Sequence, residues 1–150
     1  MHQSSMPTAV RVLGYGGLIP FIALAVLSNI DRSHEFLFSS ALLLYGAVIL
    51  SFVGAIHWGV AMLHGDLSEQ DRQSCYIWSV VPALIGWATY ILSPAMAALV
   101  LILGFQLQYW RDVRFACKII WPSWYLPLRI RLTLIAIICL LLGIFLPVAR

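Results

Sequence analysis

The chain has 150 residues, of which 62% are hydrophobic and 10% are charged, and its net charge is +3. Soluble domains carry about 25% charged residues, so this composition leaves too little polar surface to cover a water-soluble globule, and the small net charge gives no sign of nucleic-acid binding. The three cysteines lie far apart and form no CxxC pair, which argues against a disulfide framework or a structural zinc site.

Long uncharged runs indicate membrane-spanning helices, because about 20 apolar residues cross a hydrocarbon core of about 30 Å. The runs are continuously apolar and do not alternate, which favours helices over a barrel. The uncharged run over residues 75–110 is about twice the length of one span. Ser93 and Pro94 near its middle suit an N-cap and a first helical position, so two helices are predicted there. The predicted spans are 12–29, 37–63, 76–92, 94–110 and 131–148.

These spans predict a single all-α domain over residues 1–150, a polytopic bundle of five transmembrane helices. Of the nine Lys and Arg residues, seven lie on the N-terminal side of the spans, and Arg32 and Arg150 lie on the opposite side. Because cytoplasmic loops carry the excess of Lys and Arg, the N-terminus is predicted inside and the C-terminus outside. His2–Thr8 carries no basic residue and no cleavage site follows, so the first hydrophobic run is expected to be retained as an anchor.

The second predicted helix has two faces suited to contact with protein. One is a stripe of small residues at four-residue spacing, a pattern that lets helices pack closely in lipid: Ala47, Ser51, Ala55 and Gly59. The other sector contains Gly46, Leu50, Val53, His57 and His64. The remaining sector is bulky, as expected of a face toward lipid: Tyr45, Ile49, Phe52, Ile56, Val60 and Leu63. This helix is therefore predicted to be the centre of the bundle.

His57 is an ionisable residue inside a predicted span, which makes it a candidate for a functional site. A neutral histidine that is hydrogen-bonded to a neighbouring helix is the alternative. Asp112, among basic residues, either forms a local ion pair or turns inward to fix the His57 tautomer or to pair with Arg129. Haem ligation by His57 is a further alternative and would need an axial ligand other than histidine. No cofactor and no metal site are predicted.

The loop before the last span is rich in aromatic and basic residues. Trp and Tyr favour the membrane interface, and Arg beside them pairs with lipid phosphates. An interfacial anchor is predicted at Trp121, Trp124, Tyr125 and Arg131, with binding of an anionic headgroup as the functional alternative. At the other end of the chain, the glycines of segment 14–17 predict close packing or a kink. No catalytic motif is present, so no catalytic residue is predicted and an enzyme is not favoured.

Five stretches of the sequence resemble the transmembrane protein 69 family, a family of unknown function with small bacterial membrane proteins and mitochondrial relatives. They are LGYGGLIPF (13–21), YGAVILSFVGAIHWG (45–59), VVPALIGW (80–87), residues 109–112 and WPSWYLPLRIRLT (121–133). The resemblance implies a helical membrane protein in the bacterial inner membrane and supplies no established activity. Members can have Arg where this chain has His57, which implies a cation or a headgroup donor at that position rather than a haem ligand.

Three functions are compatible with the sequence. The first is a non-enzymatic accessory, assembly or scaffold component that acts through a membrane partner or as a homo-oligomer. The second is a site for a lipid, quinone or similar amphiphile near the inner leaflet, formed by Tyr15, His57, Trp58, Asp112 and Arg129. The third is a small transporter or proton pathway in an oligomer. The bilayer is the one certain partner, and no nucleic acid is expected to bind.

Overall fold

The computed structural model describes residues 5–148, and these residues form helices joined by short turns. The helices are α1 Thr8–Gly16, α2 Leu18–Ile30, α3 Glu35–Gly54, α4 Ile56–Leu63, α5 Glu69–Ala88, α6 Pro94–Phe115 and α7 Tyr125–Val148. Two short 3-10 helices lie at Arg32–His34 and Thr89–Ile91. The predicted turn at Ser93 and Pro94 separates the α5 region from α6, and both α5 and α7 begin about two turns earlier than the predicted spans.

The prediction of an all-α membrane bundle is confirmed. Four segments of the described chain are long and apolar enough to cross a membrane: Thr8–Ile30, Arg32–Leu63, Glu69–Ile91 and Tyr125–Pro147. The fifth long helix is α6, whose second half carries polar and charged residues. The orientation of the bundle stays a prediction, and Arg150, which enters its charge count, lies outside the described residues, as do residues 1–4.

The first membrane-spanning segment is interrupted at Gly17, between α1 and α2. Pro20 has no backbone N–H, so it cannot donate the usual helical bond to the Gly16 carbonyl, and a helix tends to kink at this distance before a proline. The Tyr45 hydroxyl of α3 donates to the Gly17 carbonyl at 2.9 Å. The Tyr45 side chain therefore gives a hydrogen-bond partner to a carbonyl at the interruption and links the α1–α2 segment to α3.

The span predicted over 37–63 is two helices, α3 and α4, separated at Ala55. At this break the Trp58 N–H donates to the Ala55 carbonyl at 3.0 Å, a tight bond over three residues. Gly54, just before it, packs on α5 so closely that an added Cβ would lie 2.6 Å from Cγ of Pro82.

Helix α3 is the centre of the bundle and contacts α2, α5, α6 and α7. Its buried face contains Gly46, Leu50 and Val53 and continues to His57 in α4, which is the sector expected to face protein. Val60 differs from the prediction of a lipid-facing position, because it is buried against the cluster that includes Cys75 and Phe115. Val60 lies three residues after His57, so it shares the buried face of α4.

The stripe of small residues forms one close contact inside the bundle. Ala47 packs against α5, where an added Cβ on Gly86 would lie 3.0 Å from the Ala47 carbonyl oxygen. Ser51 is half-buried and donates to its own helix, at the Ala47 carbonyl, at 2.8 Å. Ala55 is exposed, and an added Cβ on Gly59 would meet nothing within 4 Å. The later part of the stripe therefore lies on the outside of this chain.

Candidate functional site

A group of polar side chains is buried where α4, α6 and α7 meet. We call it the polar cluster, and it consists of His57, Gln108, Asp112, Tyr125 and Arg129. The side chains of His57, Gln108 and Asp112 are 0% exposed, and those of Tyr125 and Arg129 are nearly so. Because a buried polar group without partners is costly, the internal bonds of this cluster decide whether it stabilises the bundle.

Asp112 is the common acceptor of the polar cluster. Its Oδ2 accepts from Nε of Arg129 at 3.0 Å and from the Tyr125 hydroxyl at 3.4 Å, and its Oδ1 accepts from Nε2 of Gln108 at 3.0 Å. The structure thus places Asp112 inside the bundle and pairs it with Arg129, one of the two arrangements that the sequence left open. Removal of either member of such a pair strongly destabilises the protein, because the other charge would stay buried and unpaired.

The Gln108 amide fixes the orientation of the His57 ring. The Trp78 indole N–H can only donate, and it donates to Oε1 of Gln108 at 2.9 Å. Nε2 of Gln108 therefore faces Asp112 and lies 3.4 Å from Nδ1 of His57, which acts as the acceptor. In this tautomer Nε2 of His57 carries the proton and points to Oδ1 of Asp112 at 3.7 Å, a distance too long for a direct hydrogen bond.

Both ring nitrogens of His57 are directed at side chains of the polar cluster, and its ring meets the Phe115 ring edge-on, with centroids 5.7 Å apart. Haem ligation, the alternative raised from the sequence, would therefore require the cluster to open. Among residues 5–148, no group of three or more His, Cys, Asp or Glu side chains lies close enough to hold a metal ion.

The loop before α7 closes the polar cluster from one end. The Trp121 ring stacks on the Tyr125 ring with centroids 4.2 Å apart, and its N–H donates to the Asp112 carbonyl at 3.2 Å. Tyr125, which the sequence assigns to an interfacial anchor, is buried in the bundle, and its hydroxyl donates to Asp112. Trp124 is half-buried and Arg131 is exposed, and the interfacial anchor stays a prediction.

Two residues of the predicted ligand site lie apart from the polar cluster. Trp58 is 48% exposed and its ring meets the Tyr76 ring edge-on, whereas the Tyr15 hydroxyl is 3.5 Å from Nη1 of Arg131. The structure thus brings together His57, Asp112 and Arg129 and leaves the other two outside. Sequence reasoning missed Gln108, although a glutamine four residues before Asp112 on one helix face was a usable signal.

A narrow crevice adjoins the polar cluster on the side of Arg129. It has a volume of about 120 Å³ and apolar walls from several helices, among them Gly14, Phe21, Val53, Phe105 and Ala136. Leu13 and Phe52 at its rim are exposed, so it opens to the outer surface of the bundle. Arg129 and Thr133 are its two polar lining residues. Nη2 of Arg129 and Oγ1 of Thr133 are buried atoms without a hydrogen-bond partner among the described residues.

Replacement of Gln108 by leucine is expected to destabilise the bundle by about 2–4 kcal/mol. The substitution leaves the Trp78 N–H and one oxygen of Asp112 short of a partner, and each such group costs about 1–3 kcal/mol. Denaturant unfolding in detergent micelles measures this change. Gln106→Leu, at an exposed position on the same helix, is the matched control and should shift the free energy of unfolding by less than about 0.5 kcal/mol. Equal effects of the two substitutions would contradict the hydrogen bonds described.

The chain is similar over most of its length to proteins of one family. The profile described as "Protein of unknown function (DUF3429)" matches residues 6–145. Transmembrane protein 69 of Xenopus tropicalis is 32% identical over 136 residues, which cover 89% of this chain and 53% of the relative. Transmembrane protein 69 of Mus musculus is 29% identical over 134 residues, which cover 88% of this chain and 54% of the relative.

The chain spans about half the length of these curated relatives. No solved structure matches it. The profile covers far more than half of the chain, and the relatives bear the name of the family that the five sequence stretches resemble. The resemblance to the transmembrane protein 69 family is therefore confirmed, and the chain belongs to the family of membrane proteins of unknown function described as DUF3429.

Proposed function

We propose that this protein binds an amphiphile inside the membrane, with the polar end of the ligand at Arg129 and Thr133 and its apolar part in the crevice. One observation carries the proposal: Arg129 and Thr133, the two polar residues that line an otherwise apolar crevice, each have a buried side-chain polar atom without a hydrogen-bond partner among the described residues. The proposed location is the bacterial inner membrane, with the Arg129 end of the bundle toward the cytoplasm. The excess of Lys and Arg on that side supports this orientation.

The unpaired atoms give the ligand a reason to bind. A buried donor or hydroxyl without a partner costs about 1–3 kcal/mol, and native proteins leave few such groups. Arg129 and Thr133 are four residues apart on α7, so their side chains are neighbours on one helix face. The proposed ligand places a single headgroup oxygen between these two side chains.

The rest of the crevice suits an apolar body. From Arg129 to Ala136 the crevice follows α7 for about 10 Å, at about 1.5 Å per residue. Gly14 and Gly17 contribute no side chain to the opposite wall. The exposed rim at Leu13 and Phe52 lies on a surface that lipid would cover, so a ligand would enter from the bilayer.

The polar cluster has a defined part in this proposal. Asp112 holds the guanidinium of Arg129 through Nε at 3.0 Å, which leaves Nη2 for a ligand. Gln108 and Tyr125 hold Asp112 in turn. The cluster thus acts as the support of the site, and Arg129 is its member that touches the ligand.

Ala136→Leu is expected to lower the amount of bound amphiphile at least tenfold, because Ala136 lies in the wall of the crevice and the larger side chain fills it. The measurement is mass spectrometry of organic extracts from the protein purified in mild detergent. Ala23→Leu makes the same change at an exposed position of α2 and should leave the ligand content unchanged. A wild-type protein without a retained amphiphile, or equal retention in both variants, would contradict the proposal.

An accessory or assembly role through a membrane partner is the second candidate. It is supported by the outer part of the small-residue stripe, where Ala55 is exposed and Gly59 meets open space. Gly59→Leu would then release a partner or a second copy that elutes with the wild-type protein in mild detergent. A wild-type chain that always elutes alone would count against this role.

The transporter alternative stays a prediction, which flux assays in liposomes test.

A further inference from the structure

We propose that the headgroup bound at Arg129 and Thr133 is an uncharged oxygen acceptor, such as the carbonyl of an ester or of a quinone, and not an anion. This inference rests on the proposed function and adds the chemical class of the ligand. Arginine sites are usually associated with carboxylates and phosphates. The surroundings of Arg129 favour a different ligand, for two reasons that concern the charge and the hydrogen-bonding groups of the crevice.

The charge of Arg129 is already neutralised. Its Nε lies 3.0 Å from Oδ2 of Asp112, which is 0% exposed and fixed by two further donors. A ligand cannot displace this carboxylate, because it is part of α6 and is held from three sides. An anion in the crevice would therefore lose its hydration beside a pair of zero net charge, which disfavours its binding.

The neighbouring cations do not make the crevice favourable for an anion. The guanidinium of Arg111 lies over the rings of Trp78 and Phe115, at 5.3 and 4.6 Å from their centroids, and donates to Ser74. It is not part of the crevice lining. Arg131 is exposed, and its Nη1 lies 3.5 Å from the Tyr15 hydroxyl. Arg129 is therefore the basic residue that a ligand in the crevice meets.

The free groups of the site select an acceptor. Nη2 of Arg129 can only donate, and the Thr133 hydroxyl can donate as well. A carbonyl oxygen has two lone pairs and can accept from both without disturbing the bond between Arg129 and Asp112. A cationic headgroup would bring a like charge to the guanidinium and would offer it no acceptor.

Competition among amphiphiles with one tail length tests the inference. The purified protein in detergent is incubated with a decyl-substituted benzoquinone, methyl undecanoate, undecanoate and decylammonium in equal amounts, and the retained probes are quantified by mass spectrometry. We expect at least tenfold more of the quinone or the ester than of undecanoate, and the ratio of the first two distinguishes a quinone from an ester lipid. Equal or greater retention of undecanoate would overturn the inference and leave the proposed function standing. Retention of no probe, or equal retention in Ala136→Leu, would instead contradict the proposed function itself.

Two substitutions connect the selectivity to the residues named. Arg129→Lys keeps a cation beside Asp112 and removes the second N–H group, so retention of the uncharged probes should fall at least tenfold. Arg131→Lys is the matched control at an exposed position of the same helix and should retain them as the wild type does. Thr133→Val tests the second donor without any change to the ion pair. Unchanged retention in both Arg129→Lys and Thr133→Val would overturn the assignment, whatever the stability of either variant.

Discussion

Asp112→Leu is expected to lower the free energy of unfolding by about 3–5 kcal/mol, the largest effect of any single side chain in this protein. The substitution leaves Arg129 buried without its counter-charge, and breaking a buried pair from one side costs about this much. Arg129→Met should cost a similar amount, because it leaves Asp112 unpaired. Unfolding in mixed detergent micelles, followed by tryptophan fluorescence or circular dichroism, gives the free energies.

The double variant Asp112→Leu with Arg129→Met should recover part of that loss, since it removes the unpaired buried charge but still leaves the Tyr125 hydroxyl and one N–H of Gln108 without their acceptor. The surface pair of Arg72 and Glu69, 3.8 Å apart, is the matched control, and Glu69→Leu should cost less than about 1 kcal/mol. A single substitution at Asp112 that costs no more than this surface change would contradict the buried pair.

Gly54→Ala is expected to destabilise the packing of α3 on α5. An added Cβ would lie 2.6 Å from Cγ and 2.8 Å from Cβ of Pro82, and a proline ring cannot move aside as a flexible side chain can. Helices α3 and α5 would have to separate, and overpacking of this kind costs about 1–3 kcal/mol. The free energy of unfolding in mixed detergent micelles tests this contact. The double variant Gly54→Ala with Pro82→Ala should recover part of the lost stability.

The matched control for this substitution is Gly59→Ala. An added Cβ on Gly59 meets nothing within 4 Å, and alanine is a better helix former by about 1 kcal/mol. The two glycine substitutions should therefore change the free energy of unfolding in opposite directions. A stabilised Gly54→Ala variant would show that α3 and α5 are not packed as closely as described.

The general architecture could be predicted from the sequence because hydrophobic runs, charge and proline act locally. The boundary at Ser93 and Pro94 is one such signal, and α6 begins at Pro94. The interruption at Ala55 could not be predicted, because neither a proline nor a glycine pair stands in that position. Val60 is buried because it lies three residues after His57 on the same face of α4, whereas Ala55 is exposed.

The candidate site could be predicted only in part. His57 and Asp112 attract attention as ionisable residues in or near an apolar run, and Arg129 as a possible partner. The roles of Gln108 and Tyr125 depend on the distances between α6 and α7, which no local pattern determines. Aromatic residues in a basic loop usually lie at the interface, and the early start of α7 brings Tyr125 inside instead. The crevice is formed by five helices and has no signature in the sequence.

The most direct test of the central claim is the ligand content of Thr133→Val, measured together with its stability. Oγ1 of Thr133 has no hydrogen-bond partner among the described residues, so its loss removes no bond inside the protein and should leave the free energy of unfolding unchanged or slightly higher. The retained amphiphile should fall at least tenfold in this variant, whereas Thr133→Ser, which keeps the hydroxyl, should retain it. Wild-type ligand content in a stable Thr133→Val protein would contradict the account of this crevice as a binding site.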